Sequence, residues 1–208
     1  MIKHLIFDFD GTISDTYPHV IEFYHNFAKA HDLELNVSDE WLLHKALISI
    51  SVPYELLGWN QTVSHEEFNI EYFAMQRQKV TEFRPFPQAV ELLKFAAEKG
   101  IKNYIYTHSG KVVPEKILPS MGLDRYITFT LDADMGFPKK PAPDALLFLM
   151  EKFNLNPDEC MMIGDRPIDA QSGINAGIKG CLWDQYGIFE NENVDLYVKN
   201  LSDIKKYL

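Results

Sequence analysis

The sequence predicts an α/β chain: a parallel sheet with helices on both faces, interrupted after its first strand by an all-helical insertion. Three observations predict it. From residue 85 onward, short apolar runs alternate regularly with helical patterns, the signature of a parallel sheet. Residues 16 to 84 carry helical periodicity and no convincing strand. The first apolar run, Leu5-Ile6-Phe7, delivers two carboxylates, Asp8 and Asp10, followed at once by Gly11 and Thr12. Period-two geometry puts both acids on one side of an extended chain, where a buried strand has no structural use for them. The tip of that strand is therefore expected to hold a metal ion, a phosphoryl group, or both.

The elements follow in order. The first strand begins at Ile2, and after Asp15 Val20, Tyr24, Phe27 and His31 recur at helical spacing, with Pro18 in a plausible first turn. A second helix can start at Ser38, and Ser64-x-x-Glu67 is a capping-box signature ahead of Phe68, Tyr72, Met75 and Lys79. Pro85-Phe86-Pro87 then breaks the chain. A helix from Pro87 stops at Gly100, residues 101 to 107 read as a strand, and a helical piece interrupted by Pro114 and Pro119 leads to Gly122. The strand YITFTL comes next, then a helix starting at Pro143, the strand CMMIG at 160 to 164, a helix ending at Gly177 and the strand IKGCLW. A short strand, DLYV, precedes a terminal helix that Asn200 can cap. The expected organisation is a catalytic core of residues 1–15 and 85–208, with 16–84 as a helical cap. Phe23, Tyr24, Phe27, Phe68, Tyr72 and Phe73 are expected to pack the cap helices together, and His19, His25 and His31 to serve packing or the surface.

Composition bounds the function. A formal net charge of -10 argues against general binding to nucleic acid or an anionic membrane, since both need a basic face. It leaves room for a small anionic substrate, because a metal and a few local cations can reverse the field inside one pocket. Cys160 and Cys181, the two cysteines, lie in apolar runs and read as buried free thiols of a reducing compartment. With no cleavable signal and no apolar run of membrane-spanning length, the expectation is a soluble, cytoplasmic protein.

Ligands of open parallel sheets bind outside the carboxyl ends of the strands, so the strand ends test the reading. They carry Asp8-Phe9-Asp10-Gly11-Thr12, Thr107-His108-Ser109-Gly110, Asp132-Ala133-Asp134 ahead of Lys139-Lys140-Pro141, and Gly164-Asp165-Arg166 with Asp169 one helical turn on. The chemistry that needs such a set is phosphoryl transfer. Phosphate monoester hydrolysis is so slow unaided that enzymes reach accelerations of up to about 10²¹-fold, whereas one general acid supplies about 10² to 10⁴. Several groups must act together: carboxylates such as Asp8 and Asp165 for a magnesium ion, a carboxylate nucleophile, and Thr107 with backbone amides near Gly11 and His108 for the phosphoryl oxygens. Lys140 offsets the charge that builds up there.

DFDGT, the Thr107 strand end, the Lys140-Pro141-Ala142-Pro143-Asp144 run and GDRPID resemble, in order, the four motifs of the haloacid dehalogenase superfamily, and the match covers essentially the whole chain. The insertion resembles the small cap of the phosphoglycolate phosphatase and β-phosphoglucomutase branch. The resemblance implies a Rossmann-like core and a magnesium-dependent phosphatase of a small phosphorylated metabolite. It implies Asp8 as nucleophile and metal ligand, and Asp10 as general acid and base that also gives its backbone carbonyl to the metal. Thr107 and Lys140 would hold the phosphate, Asp165 would ligate magnesium, and Asp169 would support the metal shell directly or through water. Asp10 separates phosphatases of this superfamily, which protonate a leaving group, from its dehalogenases, which need no acid there. His108 departs from the asparagine that many relatives carry, so its side chain could touch substrate or hold the loop. Arg166 could face either the pocket or solvent.

Two rival readings remain at this level. A phosphomutase would return the phosphoryl group to a second sugar hydroxyl, and a non-catalytic binding protein could keep the fold without the reaction, although none of the site carboxylates is missing. Substrate choice is expected to reside in the cap and its hinges near residues 14 to 18 and 82 to 87.

Overall fold

The protein is described here by a computed structural model covering residues 1–190 and 192–208. Its elements run β1 (His4–Phe7), α1 (Tyr17–Ala30), α2 (Asp39–Ala46), α3 (Val52–Leu56), α4 (His65–Gln78), α5 (Pro87–Glu98), β2 (Lys102–Tyr106), α6 (Leu118–Met121), β3 (Ile127–Leu131), α7 (Asp144–Phe153), β4 (Cys160–Gly164), α8 (Pro167–Asn175), β5 (Lys179–Trp183) and β6 (Leu196–Val198). They fall into two compact units, Met1–Asp15 with Arg84–Leu208, and Thr16–Phe83.

The first unit is a six-stranded sheet of order β3-β2-β1-β4-β5-β6, parallel throughout. This is the Rossmann-like α/β architecture that the alternation predicts. The order reverses beside β1, which pairs with β2 on one side and β4 on the other. Such a reversal is where crevices form outside the strand ends. Alternation along the strands divides the core into two layers. Ile6, Tyr104, Tyr106, Leu131 and Met162 pack on Ala145, Leu146, Leu149 and Met150 of α7. Leu5, Phe7, Ile105, Met161 and Ile163 point the other way and are fully buried, on the side where Asn103 ties β2 to the Leu93 carbonyl of α5 at 3.1 Å. Apolar residues at successive positions thus serve both faces, as a sheet covered on both sides requires.

Two helical elements take local geometries that periodicity does not distinguish. The piece with Pro114 and Pro119 is a π-helical stretch, Val113–Ile117, running into α6, since each proline withholds a backbone donor from a regular helix. The terminal helix is a 3-10 helix, Leu201–Tyr207, capped by Asn200, whose side chain accepts from the Ser202 amide.

The chain leaves the first unit and returns to it side by side. The Asp15 amide donates to the Arg84 carbonyl at 2.9 Å, the Phe86 amide donates to the Ile13 carbonyl at 2.9 Å, and Ser14 forms an antiparallel bridge to Pro85.

The Thr16–Phe83 unit is helical. Ser64 caps α4 by accepting from the Glu67 amide, and Ser38 caps α2 by accepting from the Trp41 amide. Its core is aromatic. Phe23 of α1 lies edge-on to Phe68 and Tyr72 of α4, with ring centroids 5.4 and 5.5 Å apart. The Tyr24 hydroxyl is fully buried because it has two partners, donating to the Ile50 carbonyl at 2.5 Å and accepting from the Tyr54 amide at 3.1 Å. Phe73 lies at the margin of this packing: it is 38% exposed and meets the Tyr72 ring edge-on, with centroids 5.7 Å apart. The histidines take surface and packing roles, His25 against Asp39, His31 against Glu71 and His19 against the Phe83 ring.

Candidate active site

The site forms where β1, β2 and β4 end together. Strand β1 stops at Phe7, and Gly11, at φ 79°, turns the chain so sharply that its amide donates to the Ser14 carbonyl at 2.8 Å. That closes the turn and engages the Gly11 amide within it. The turn leaves Asp8 buried at the mouth of the sheet and delivers the Thr12 hydroxyl to Asp165 Oδ1 at 3.1 Å.

Lys140 enters this volume from the loop after β3. Its side chain is fully buried, and Nζ donates to Asp8 Oδ1 at 2.6 Å and to Asp169 Oδ1 at 2.8 Å. The remaining Asp169 oxygen accepts from the Arg166 amide at 3.1 Å, with Arg166 Nε 3.9 Å away, so the arginine turns toward this acid at the start of α8. The fit is tight. A Cβ on Gly164, the last residue of β4, would lie 2.2 Å from the Asp169 Cβ.

Carboxylate oxygens of Asp8, Asp165 and Asp169 lie within 4.8 Å of one another, all three residues buried. Burial raises the proton affinity of Asp8 and Asp169, but charge separates them. Lys140 and Arg166 outweigh burial at Asp169 and hold its carboxyl below the usual range. At Asp8 burial wins over Lys140, with Asp169 and Asp165 pushing the same way, and the carboxyl is raised. Lys140 stays an ammonium, because its two acids more than offset its burial. The second Asp8 oxygen, Oδ2, is buried with no hydrogen-bond partner. Three clustered acids around one ammonium, one of them with an orphaned oxygen, are short of positive charge. This all-oxygen donor set fits a divalent cation, which Asp8, Asp165 and Asp169 could hold.

Asp10 stands apart from the cation cluster. Its Oδ2 accepts from the Ser109 hydroxyl at 2.8 Å, and burial raises its carboxyl although Ser109, Arg166, Lys140 and Thr107 all oppose the shift. A carboxyl so placed can carry a proton to or from a bound group. Thr107 is buried, and its Oγ1 accepts from the Ser109 amide at 2.9 Å. The His108 ring faces the loop: Nε2 accepts from the Lys140 amide at 2.9 Å.

Sequence reasoning assigned no role to Ser109, Thr12 or Tyr106, although all three lie beside motifs it used. It also passed over the loop after β5. There Asp184 accepts from the amides of Gly187, Ile188 and Phe189 and from the Tyr197 hydroxyl, at 2.7 to 3.1 Å. The loop so fixed brings Gln185 to the Gly11 carbonyl at 3.5 Å, and it sets Tyr186 where burial, then the charges of Asp15 and Asp165, push its hydroxyl up to about 12. An acid followed by a glycine turn was the available signal.

Comparison with known proteins gives the same direction. Residues 5–182 match the family model described as haloacid dehalogenase-like hydrolase. A phosphoglycolate phosphatase from Vibrio vulnificus is 30% identical over 85% of this chain and 81% of its own length. Hexitol phosphatase A from Escherichia coli is 29% identical over 84% of this chain and 80% of its own. Among solved structures, a predicted phosphoglycolate phosphatase from Haemophilus somnus shares the fold with a TM-score of 0.82, at 20% identity over 99% of this chain and 97% of that one. With a family match that runs from β1 into β5 and takes in all four strand-end motifs, the chain belongs to the haloacid dehalogenase-like hydrolases and is an enzyme of the phosphoric monoester hydrolase class.

Proposed function

We propose that this enzyme is a magnesium-dependent phosphatase of a small phosphorylated metabolite, working through a phosphoryl group carried on Asp8. The observation that carries the reading is the pairing at one sheet edge of a buried, undercompensated carboxylate, Asp8, with a second carboxyl, Asp10, whose environment favours its protonated form. Asp8 attacks phosphorus while the bond to the leaving oxygen breaks, and Asp10 gives that oxygen its proton. A water then attacks the phosphorus of the aspartyl phosphate, Asp10 takes the water's proton, the bond from phosphorus to the Asp8 oxygen breaks to regenerate the carboxylate, and inorganic phosphate leaves. The Lys140 ammonium and the Thr107 hydroxyl stabilise the charge on the phosphoryl oxygens. Magnesium held by Asp8, Asp165 and Asp169, with the Asp10 backbone carbonyl, would add positive charge at those same oxygens.

The Thr16–Phe83 helices are assigned the role of a cap that admits small esters and keeps water out. Their connections depart from Ser14 and Asp15, a few residues beyond the two site acids. Nucleic acid is not a substrate on this reading, given the net charge of -10. Among the described residues no helix is long and apolar enough to cross a membrane. The cytoplasm is the proposed location, supported by two buried free thiols, Cys160 and Cys181.

The test is inorganic phosphate release from a panel of small phosphate esters, headed by phosphoglycolate and hexitol phosphates, with magnesium or with chelator. The expected result is metal-dependent release that falls by about 10⁴-fold or more in Asp8→Asn. Undiminished turnover in Asp8→Asn would sink the proposal. A sugar 1-phosphate converted to its 6-phosphate, with no free phosphate in the ³¹P spectrum, would replace it with a phosphomutase.

A further inference from the structure

Lys140 is the one cation bonded directly to Asp8 among the described residues, and it arrives on a loop at the end of a flexible four-carbon stem. An ammonium on such a stem is a poor positioning device unless something fixes both its backbone and its tip. The end of β2 does both. Tyr106 is the last residue of β2 and His108 lies two residues on, at the bend that follows the strand, with the two rings in edge contact. The Tyr106 ring lies under the Lys140 tip, 4.6 Å from Nζ to the centroid, and its hydroxyl donates to the Pro138 carbonyl at 3.3 Å. The His108 ring, edge-on to Tyr106 at 6.0 Å, accepts the Lys140 amide proton at Nε2. The loop is thus tied to β2 at Pro138 and at Lys140, and the ammonium is held from a third side, besides Asp8 and Asp169, by a π face.

We propose that Tyr106 and His108 are positioning residues for Lys140, a two-residue clamp that fixes the ammonium against Asp8 so that it meets the phosphoryl group without rearrangement. The proposal rests on the phosphatase reading for its consequence, and on geometry alone for the clamp itself. It explains the histidine. An imidazole that accepts at Nε2 carries its proton on Nδ1, and it must stay neutral to do so. Burial, then the charges of Lys140 and Arg166, push the ring down to about 3, which keeps it neutral.

Two readouts test it. The first needs no turnover: ¹⁵N shifts of the His108 ring at neutral pH are expected to show the neutral Nδ1–H tautomer, and an Nε2–H tautomer or an imidazolium would overturn the clamp. The second is rescue by shape. The amide oxygen of glutamine reaches about as far as Nε2, whereas that of asparagine stops at the reach of Nδ1. His108→Gln is therefore expected to retain most of the kcat for phosphate release, and His108→Asn to lose about 10- to 100-fold, as for a misplacement of about 1 Å. Tyr106→Phe keeps the ring under Nζ and is expected to be mild, whereas Tyr106→Leu is expected to fall like His108→Asn. Equal kcat for the glutamine and asparagine variants would overturn the proposal. If the wild type releases no phosphate from any ester, the phosphatase reading fails and the ring tautomer alone decides the clamp.

Discussion

Gly164→Ala should damage this protein far more than the addition of one methyl group suggests. The alanine Cβ would lie 2.2 Å from the Asp169 Cβ and 2.4 Å from its Cγ and Oδ2, where carbon contacts ordinarily begin near ~3.5 Å. Asp169 must therefore retreat by about 1 Å. It cannot do so freely, since one oxygen holds Lys140 at 2.8 Å and the other the Arg166 amide at 3.1 Å. Overpacking of this kind costs about 1–3 kcal/mol, and loosening charge-assisted bonds in a buried site adds about 1 more. The expected loss is about 2–4 kcal/mol in urea unfolding, with the slope of the transition unchanged. Because Lys140 would follow Asp169 away from Asp8, kcat for phosphate release should fall by about 10²-fold. A Gly164→Ala protein with the wild-type urea midpoint and wild-type kcat would refute the claim that Asp169 is packed against the strand end to steer Lys140.

Two further outcomes follow from buried polar groups. Burial alone would raise Asp184, but the Tyr197 hydroxyl and three loop amides outweigh it and hold the carboxyl below its usual range. A depressed acid contributes stability above its unfolded pKa and loses it as pH falls through the folded value. Asp184→Asn should therefore cost about 1–3 kcal/mol at pH 7, and the gap should close as both proteins are acidified below about pH 4. A gap that persists in acid would mean that shape, not charge, fixes the loop. In the helical unit, Tyr24→Phe strands the Tyr54 amide and the Ile50 carbonyl and should lower stability by about 1–3 kcal/mol by urea unfolding, with no gain from the added apolar edge. An unchanged urea midpoint would show that water can satisfy both groups.

Periodicity and punctuation carried the fold. The run CMMIG is bounded by polar residues and an acid, and it coincides with β4. Pro85-Phe86-Pro87 opens α5 because proline suits a first helical turn and little else. Reading was poorer wherever tertiary context selects among local forms. The five-residue α3 has too few turns for periodicity to register, and the choice between α and 3-10 geometry at the end of the chain depends on what Leu201 and Ile204 bury against. At the site, residue types and strand ends could be read because ligands gather at sheet edges. Which atom serves which partner could not. That Gly11 uses its amide to close its own turn, and that His108 turns to the lysine loop, depend on the path of the chain after each strand.

The side-by-side crossing of the chain at Asp15 and Arg84 also bears on how the sheet is assembled. His4 pairs with Lys102, so β1 must wait for a partner about a hundred residues away, which is a large loop to close. The Thr16–Phe83 helices share an aromatic core of their own and can fold early, from local interactions. Once folded, they bring their two ends together and shorten the effective loop to about thirty residues, lowering the closure cost by about 1 kcal/mol. The insertion thus acts as a splint for the nucleus of the sheet, and loosening its aromatic core should slow refolding of the strands.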